Sequence, residues 1–117
     1  MHSIDGYDEV SLTGSFKLFS NNQDLMLEPK DLGFNVIDSV KLSGGKNIKE
    51  SSKIFLDILK NKGTSEQVDA VLANSGLAIY CAKKLNSIKE IGSYTAEIRL
   101  HRKVNCSIEF TVVSDKN

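Results

Sequence analysis

The sequence has little cysteine, a single proline, no tryptophan and no long apolar run. The two cysteines, Cys81 and Cys106, are too few and too far apart for a zinc motif or for the disulfide framework of a small secreted domain. No apolar stretch reaches the roughly 20 residues of a transmembrane helix, and the N-terminus lacks the basic and apolar regions of a signal peptide. These absences predict a chain with no membrane partner in a reduced, cytoplasmic setting, with Cys81 as a small core residue.

The chain also lacks an excess of charge of either sign. Its 15 basic residues offset 15 acidic ones, so the formal net charge is 0. A neutral chain has no general attraction for nucleic acid or for an anionic membrane, so we expect no nucleic-acid partner, and any charged ligand would need a local site. The 117 residues, 40% hydrophobic and 26% charged, are typical of one soluble globular domain that can bury a core.

The first third of the chain predicts a β-hairpin. Phe16 and Leu18 lie two residues apart, as on one face of a strand, and a polar turn over residues 21–24 leads into an apolar return over residues 25–27. Pro29 ends the second strand, because proline has no N–H to donate to a ladder.

Three helix starts follow the hairpin. Each has a polar residue with an acid or amide three positions later, the pattern of an N-terminal cap. The three pairs are Asn47 with Glu50, Thr64 with Gln67, and Ser87 with Glu90. The helical period predicts two inward faces: Ile48, Phe55, Ile58 and Leu59 in the first helix, and Val68, Val71, Leu72, Ile79 and Ala82 in the second. Gly92 and Ser93 interrupt the third helix soon after its start.

From Thr95 the apolar period changes to two, which predicts strands. One apolar set alternates over residues 96–100 and a second over residues 106–112, as in a C-terminal hairpin. The expected fold class is therefore α/β, a hairpin followed by two to three helices and a C-terminal strand hairpin.

Asp8 and Glu9 form the only adjacent pair of acids in the chain. Mg²⁺ prefers hard oxygen ligands and is commonly held by one or two carboxylates together with substrate phosphates. Adjacent side chains of an extended segment point to opposite sides, so the two carboxylates could address two ions, or one ion and its water shell. Adjacent acids near glycine are also common in solvated turns, and the residues alone leave both readings open.

Other polar groups give weaker signals. Residues 43–46 (Ser-Gly-Gly-Lys) precede a helix and could hold an anion, but they lack the spacing of a phosphate-binding loop and favour a turn. His2 and His101 have no Cys or Asp at ligand spacing. Ser11 and Thr13, next to the acidic loop, could hydrogen-bond metal-bound water or phosphate, but such residues are also common at strand edges. No arrangement of nucleophile and base identifies a catalytic residue.

Several segments together resemble one enzyme family. Residues 2–11 (His-Ser-Ile-Asp-Gly-Tyr-Asp-Glu-Val-Ser) are similar to the H-G-x-D-G-L-D-E-x-S segment of anthranilate phosphoribosyltransferases. The resemblance continues in the same order over three further segments: residues 27–33 resemble T-P-E-D-F-G-L, residues 42–45 resemble L-x-G-G, and residues 71–80 resemble V-L-L-N-A-A-x-A-L-Y. Four collinear matches over residues 1–90 are far more specific than one motif.

The resemblance implies a fold and a function. The fold would be the C-terminal portion of a nucleoside-phosphorylase/phosphoribosyltransferase-like α/β domain. Asp8 and Glu9 would bind the Mg²⁺ that accompanies phosphoribosyl pyrophosphate, and the enzyme would transfer its phosphoribosyl group to anthranilate in tryptophan biosynthesis. The resemblance assigns this chain no catalytic residue and leaves substrate-binding residues unknown. We interpret Asn74 as structural, since it is distant in sequence from the acidic loop.

The chain also departs from the family. Ser3 stands where the family segment has glycine, and the glycine-rich pyrophosphate loop and the N-terminal helical domain that forms the family homodimer are absent. Residues 91–117 form a divergent tail, which a changed reading frame near Ile91 would explain. We therefore expect a partial enzyme that is inactive by itself. A stand-alone binding module and a non-functional truncated product are the alternatives.

Overall fold

The computed structural model describes residues 1–82 and 87–100, with the side chains of all of these except 98–100. Three short strands precede three α-helices, and two 3-10 helices lie between the strands and the first α-helix. The elements in chain order are β1 (His2–Ser3), β2 (Phe16–Phe19), β3 (Asp24–Leu27), 3-10 helices at Pro29–Leu32 and Ser39–Leu42, α1 (Ile48–Leu59), α2 (Ser65–Cys81) and α3 (Ile88–Leu100). Within these described ranges, none of the helices is long and apolar enough to cross a membrane.

The strands form one antiparallel sheet in the order β1-β2-β3. Phe16 pairs with Leu27 at one end of the β2–β3 hairpin, and Phe19 pairs with Asp24 at the other. Phe16 and Leu18 are buried while the two residues that alternate with them are exposed. The predicted hairpin is therefore confirmed, with the face that the period of two indicated.

The core lies where the strands and the loop after β1 meet α2 and α3. Its members come from every layer of the fold. The buried hydrophobic residues are Val10, Leu12, Phe16, Leu18, Leu32, Phe34, Ile37, Ala73, Leu77 and Ile91. Because the loop that contains the acidic pair continues directly into Val10 and Leu12, one end of that loop is anchored in the core.

The first two helices begin where the caps predict. The Asn47 side chain accepts a hydrogen bond from the Glu50 N–H at 3.0 Å. Thr64 and Gln67 form a reciprocal capping box, in which each side chain accepts from the other residue's N–H. These bonds satisfy N–H groups that have no partner inside the helix, and they fix the start of α1 and α2.

The predicted inward faces of these helices need correction. In α2 the buried residues are Ala73, Gly76 and Leu77, whereas Val71 is 46% exposed and Ala82 is exposed. The prediction gave weight to large apolar side chains, but α3 packs against the side of α2 that carries small ones. Cys81 is exposed, so its interpretation as a core residue was wrong.

Helix α1 buries none of its residues. Ile48, which was expected to face inward, is 86% exposed, and Phe55 is 56% exposed. The helix has an apolar side, as its period predicts, and Ile54, Ile58 and Leu59 on it are partly buried.

The prediction of strand over residues 95–100 was wrong, because α3 continues without interruption to Leu100. Gly92 does not end the helix. A Cβ at Gly92 would lie 3.1 Å from the Leu32 carbonyl oxygen, so the glycine allows α3 to approach the first 3-10 helix closely. The second apolar set, residues 106–112, lies outside the described residues. The capping pair at Ser87 is thus followed by a helix, while the division of the chain at residue 90 stays a prediction.

Candidate metal-binding loop

Asp8 and Glu9 lie in the loop between β1 and β2, and both side chains reach solvent. The Asp8 side chain is fully exposed, and its Oδ1 lies 3.5 Å from Nδ1 of His2. Sequence spacing gave His2 no acidic companion, but the turn after β1 brings the two residues together. Glu9 lies at the edge of a cleft between this loop and α2.

The backbone that follows Glu9 is held by two side chains from different parts of the chain. The Ser3 hydroxyl donates to the Glu9 carbonyl oxygen at 2.6 Å and accepts from the Ser11 N–H at 3.2 Å. The Asn74 side-chain amide accepts from the Val10 N–H at 2.9 Å and donates to the Val10 carbonyl oxygen at 2.7 Å. The loop therefore has a fixed backbone under its exposed carboxylates.

Asp5, the third acid of the loop, is used within the loop itself. Its Oδ2 accepts hydrogen bonds from the hydroxyls of Thr13 and, at 3.0 Å, Ser11. The Thr13 hydroxyl, helped by that of Ser11, lowers the pKa of Asp5 below its ordinary value, against the opposing effect of burial. The Asp5 carboxylate thus closes the loop onto the start of the hairpin, which leaves Asp8 and Glu9 as the outward-facing pair.

The Asp8 and Glu9 carboxylates suit a Mg²⁺ ion that also binds a second, non-protein ligand. Among the residues that the structure describes, no three His, Cys, Asp or Glu side chains group together as a metal site. Such an arrangement does not suit a closed structural site, which needs a full set of protein ligands. Two exposed carboxylates do suit Mg²⁺, which keeps several waters and is often completed by phosphate oxygens.

The cleft beside Glu9 has a volume of about 410 Å³. Its walls are the acidic loop, the Ser43–Gly44 turn, and facing sides of α1 and α2. The Lys46 N–H, where an anion could bind, donates instead to the Glu50 carboxylate at 2.8 Å. The glycine turn is therefore a turn leading into a capped helix.

A comparison with protein families gives a match over most of the chain. The sequence model of the family described as "Glycosyl transferase family, a/b domain" matches residues 1–101. The chain belongs to this glycosyl transferase family. The match agrees with the α/β class, and the small antiparallel sheet with three helices is compatible with a part of such a domain.

Two similar curated proteins carry the same enzyme name. The chain is 52% identical over 83 residues to the anthranilate phosphoribosyltransferase of Cytophaga hutchinsonii, which covers 71% of this chain and 25% of that protein. It is 45% identical over 89 residues to the enzyme of that name from Flavobacterium psychrophilum, covering 76% of this chain and 27% of the relative. The resemblance seen in the motifs is confirmed, and the chain spans about a quarter of the length of these relatives.

The sequence missed the connection between Asn74 and the acidic loop. Asn74 was interpreted as structural because 64 positions separate it from Val10, yet it binds the residue next to Glu9. A single amide between apolar residues in the middle of a helix was the available signal, because such a group needs hydrogen-bond partners when it is partly buried.

Proposed function

We propose that this chain carries the magnesium-binding loop of an anthranilate phosphoribosyltransferase. Asp8 and Glu9 would hold Mg²⁺ together with phosphoribosyl pyrophosphate while the phosphoribosyl group passes to the anthranilate amine. The observation that supports this most is an exposed carboxylate pair on a loop whose backbone is fixed from both sides. The family match and the names of the relatives agree with it.

The roles of the residues follow from their positions. Asp8 and Glu9 would hold the Mg²⁺, which when bound would supply positive charge to offset that of pyrophosphate. The Asp8 and Glu9 carboxylates supply ligand oxygens, and their exposure leaves room for phosphate oxygens and water on the same ion. Asp5 keeps the loop closed through Ser11 and Thr13.

We expect no turnover from the 117-residue chain alone, because the resemblance assigns it neither a catalytic residue nor a substrate-binding residue. The assay follows the fluorescence of anthranilate mixed with phosphoribosyl pyrophosphate, Mg²⁺ and the chain. Loss of anthranilate that disappears in Asp8→Asn/Glu9→Gln would contradict this expectation and show that the chain is active by itself.

Metal binding is tested separately with Mn²⁺, a paramagnetic substitute for Mg²⁺, in the presence of inorganic pyrophosphate. The free Mn²⁺ signal in electron paramagnetic resonance should fall on addition of the chain and recover in Asp8→Asn/Glu9→Gln. Asp24→Asn/Glu97→Gln removes the same charge from exposed positions elsewhere and should bind as the unmodified chain does. Equal binding by both double variants would refute the metal assignment.

A further inference from the structure

We propose that Ser3 and Asn74 are positioning residues for the metal-binding loop, acting together on the two peptide units that follow Glu9. The proposal rests on the proposed role of Asp8 and Glu9 as metal ligands. It assigns a function to two residues that bear no metal-binding atom themselves.

The hydrogen bonds divide evenly between the two side chains. In the peptide unit that joins Glu9 to Val10, the carbonyl oxygen accepts from Ser3 and the N–H donates to Asn74. In the unit that joins Val10 to Ser11, the carbonyl oxygen accepts from Asn74 and the N–H donates to Ser3. All four polar groups of two consecutive peptide planes are thus bonded, each plane from opposite directions.

Both side chains are themselves held in place. Ser3 is 1% exposed, its N–H donates to the Tyr7 carbonyl oxygen at 2.8 Å, and it pairs with Phe16 in the sheet. The Asn74 amide also donates to the Ala70 carbonyl oxygen at 2.9 Å, one turn earlier in α2. The backbone that carries the Ser3 hydroxyl is thus fixed, and the Asn74 amide cannot turn away without breaking its bond to Ala70, so the two peptide planes have one favoured orientation.

The orientation of the two peptide planes matters because the Asp8 and Glu9 carboxylates have few side-chain contacts that could position them. Asp8 is fully exposed, with His2 at 3.5 Å, and the Glu9 side chain is exposed. The direction in which their carboxylates leave the loop is therefore set by the backbone. Groups that orient metal ligands without touching the metal commonly change its affinity by about 10–100-fold when removed.

Ser3 supplies one of the two supports through its hydroxyl. The similar segment of the family has glycine at this position, and glycine has no hydroxyl to bond either peptide plane. Ser3→Gly therefore removes one of the two supports while keeping a residue that fits the turn after β1.

The experiment uses the full chain and Mn²⁺ with inorganic pyrophosphate, followed by electron paramagnetic resonance. We expect Ser3→Gly and Asn74→Ala each to weaken Mn²⁺ binding by about ten-fold. The double variant should lose less than the product of the two losses, because both substitutions release the same two peptide planes. Ser93→Ala, at an exposed position on α3 outside the cleft beside Glu9, is the control and should bind as the unmodified chain does.

Two further measurements separate positioning from a general loss of structure. Circular dichroism melting gives the folded fraction, so affinities are compared per folded chain. Amide hydrogen exchange in the absence of metal should accelerate at Ser11 in Ser3→Gly and at Val10 in Asn74→Ala, since each of these N–H groups then loses its acceptor.

The outcomes distinguish this proposal from the proposed function. Mn²⁺ binding that Asp8→Asn/Glu9→Gln abolishes but that Ser3→Gly and Asn74→Ala leave unchanged per folded chain would overturn the positioning role alone. If the unmodified chain has no binding that depends on Asp8 and Glu9, the metal assignment fails and the positioning role fails with it.

Discussion

The side-chain amide of Asn74 is paired in both directions with the backbone of Val10, across a sequence separation of 64 positions. One amide thus satisfies the N–H and the carbonyl of a residue that is only 1% exposed. Helix α2 and the acidic loop are joined by this pair in addition to the hydrophobic core.

The pair should contribute measurably to stability. Asn74→Ala leaves two backbone groups of Val10 without protein partners, and each unsatisfied buried group costs about 1–3 kcal/mol. We expect urea denaturation to show a fall of about 2–4 kcal/mol in the free energy of unfolding. Ser75→Ala should change it by less than about 0.5 kcal/mol. Equal effects of the two substitutions would show that the Val10 groups find water instead.

Helix α2 packs closely on α3 at Gly76, so the effect of Gly76→Ala on stability should change sign when the Ile91 side chain is shortened. A Cβ there would lie 2.6 Å from Cγ2 of Ile91, whose side chain is fully buried. Overpacking costs about 1–3 kcal/mol and alanine gains about 1 kcal/mol over glycine in a helix. We therefore expect Gly76→Ala to destabilise the chain by about 1 kcal/mol on balance.

In the Ile91→Ala background the obstructing methyl group is gone, so Gly76→Ala should stabilise the chain instead. Thermal unfolding of the four proteins in this cycle measures both effects. Stabilisation by Gly76→Ala in both backgrounds would mean that α2 and α3 are farther apart than described.

The hydroxyl groups around Asp5 predict a pH dependence at acid pH. The folded chain has a lowered Asp5 pKa, chiefly because Thr13 donates to the carboxylate, so the folded state binds this proton less readily than the unfolded state. The stabilisation by the Asp5 carboxylate is fully present above the ordinary Asp pKa of about 3.9. It is lost as the pH falls through the lower pKa that Asp5 has in the folded chain. NMR titration should find the Asp5 pKa below about 3.9, and higher in Thr13→Val than in the unmodified chain. An unchanged pKa in Thr13→Val would show that the hydroxyl does not determine it.

The exposed apolar residues of α1 predict self-association. Ile48 and Leu56 are 86% and 44% exposed, and contiguous apolar surface promotes association. Ile48→Glu/Leu56→Lys keeps the net charge, and its glutamate lies at the helix N-terminus, where a negative charge is favourable. Sedimentation velocity should show less association for this variant, with a melting temperature close to that of the unmodified chain. Leu77→Ala, a core substitution, should instead cost about 2–5 kcal/mol of stability. Unchanged association in the α1 variant would show that the surface responsible for self-association lies elsewhere.

Local features of the fold were predictable from the sequence. The caps of α1 and α2 depend on residues three positions apart, and the β2–β3 hairpin depends on neighbours within 12 residues, so both follow from short segments. The carboxylate pair at Asp8 and Glu9 was likewise visible from residue type alone. What such a segment cannot show is which of its sides another element will cover.

Features that depend on packing were missed for that reason. Glycine is unfavourable inside helices, so the sequence alone indicates that Gly92 interrupts one. Only its position against Leu32 shows that it allows close packing. Val71 is larger and more apolar than Ala73, yet Ala73 is buried and Val71 is 46% exposed. Helix α3 packs on α2 at Gly76, where only a residue without a Cβ fits against Ile91. Asn74 could not be placed next to Val10 before the path of the chain was known.

The dependence of the acidic loop on Asn74 has a consequence for the order in which the protein is made. A ribosome produces Asp8 and Glu9 before the α2 support for their loop, because Asn74 is synthesised 64 positions after Val10. A nascent chain that ends before Asn74 contains the whole acidic motif with only the Ser3 half of its support. The acidic loop thus reaches its final geometry only after α2 has been made, so magnesium capture should begin only once Asn74 has left the ribosome.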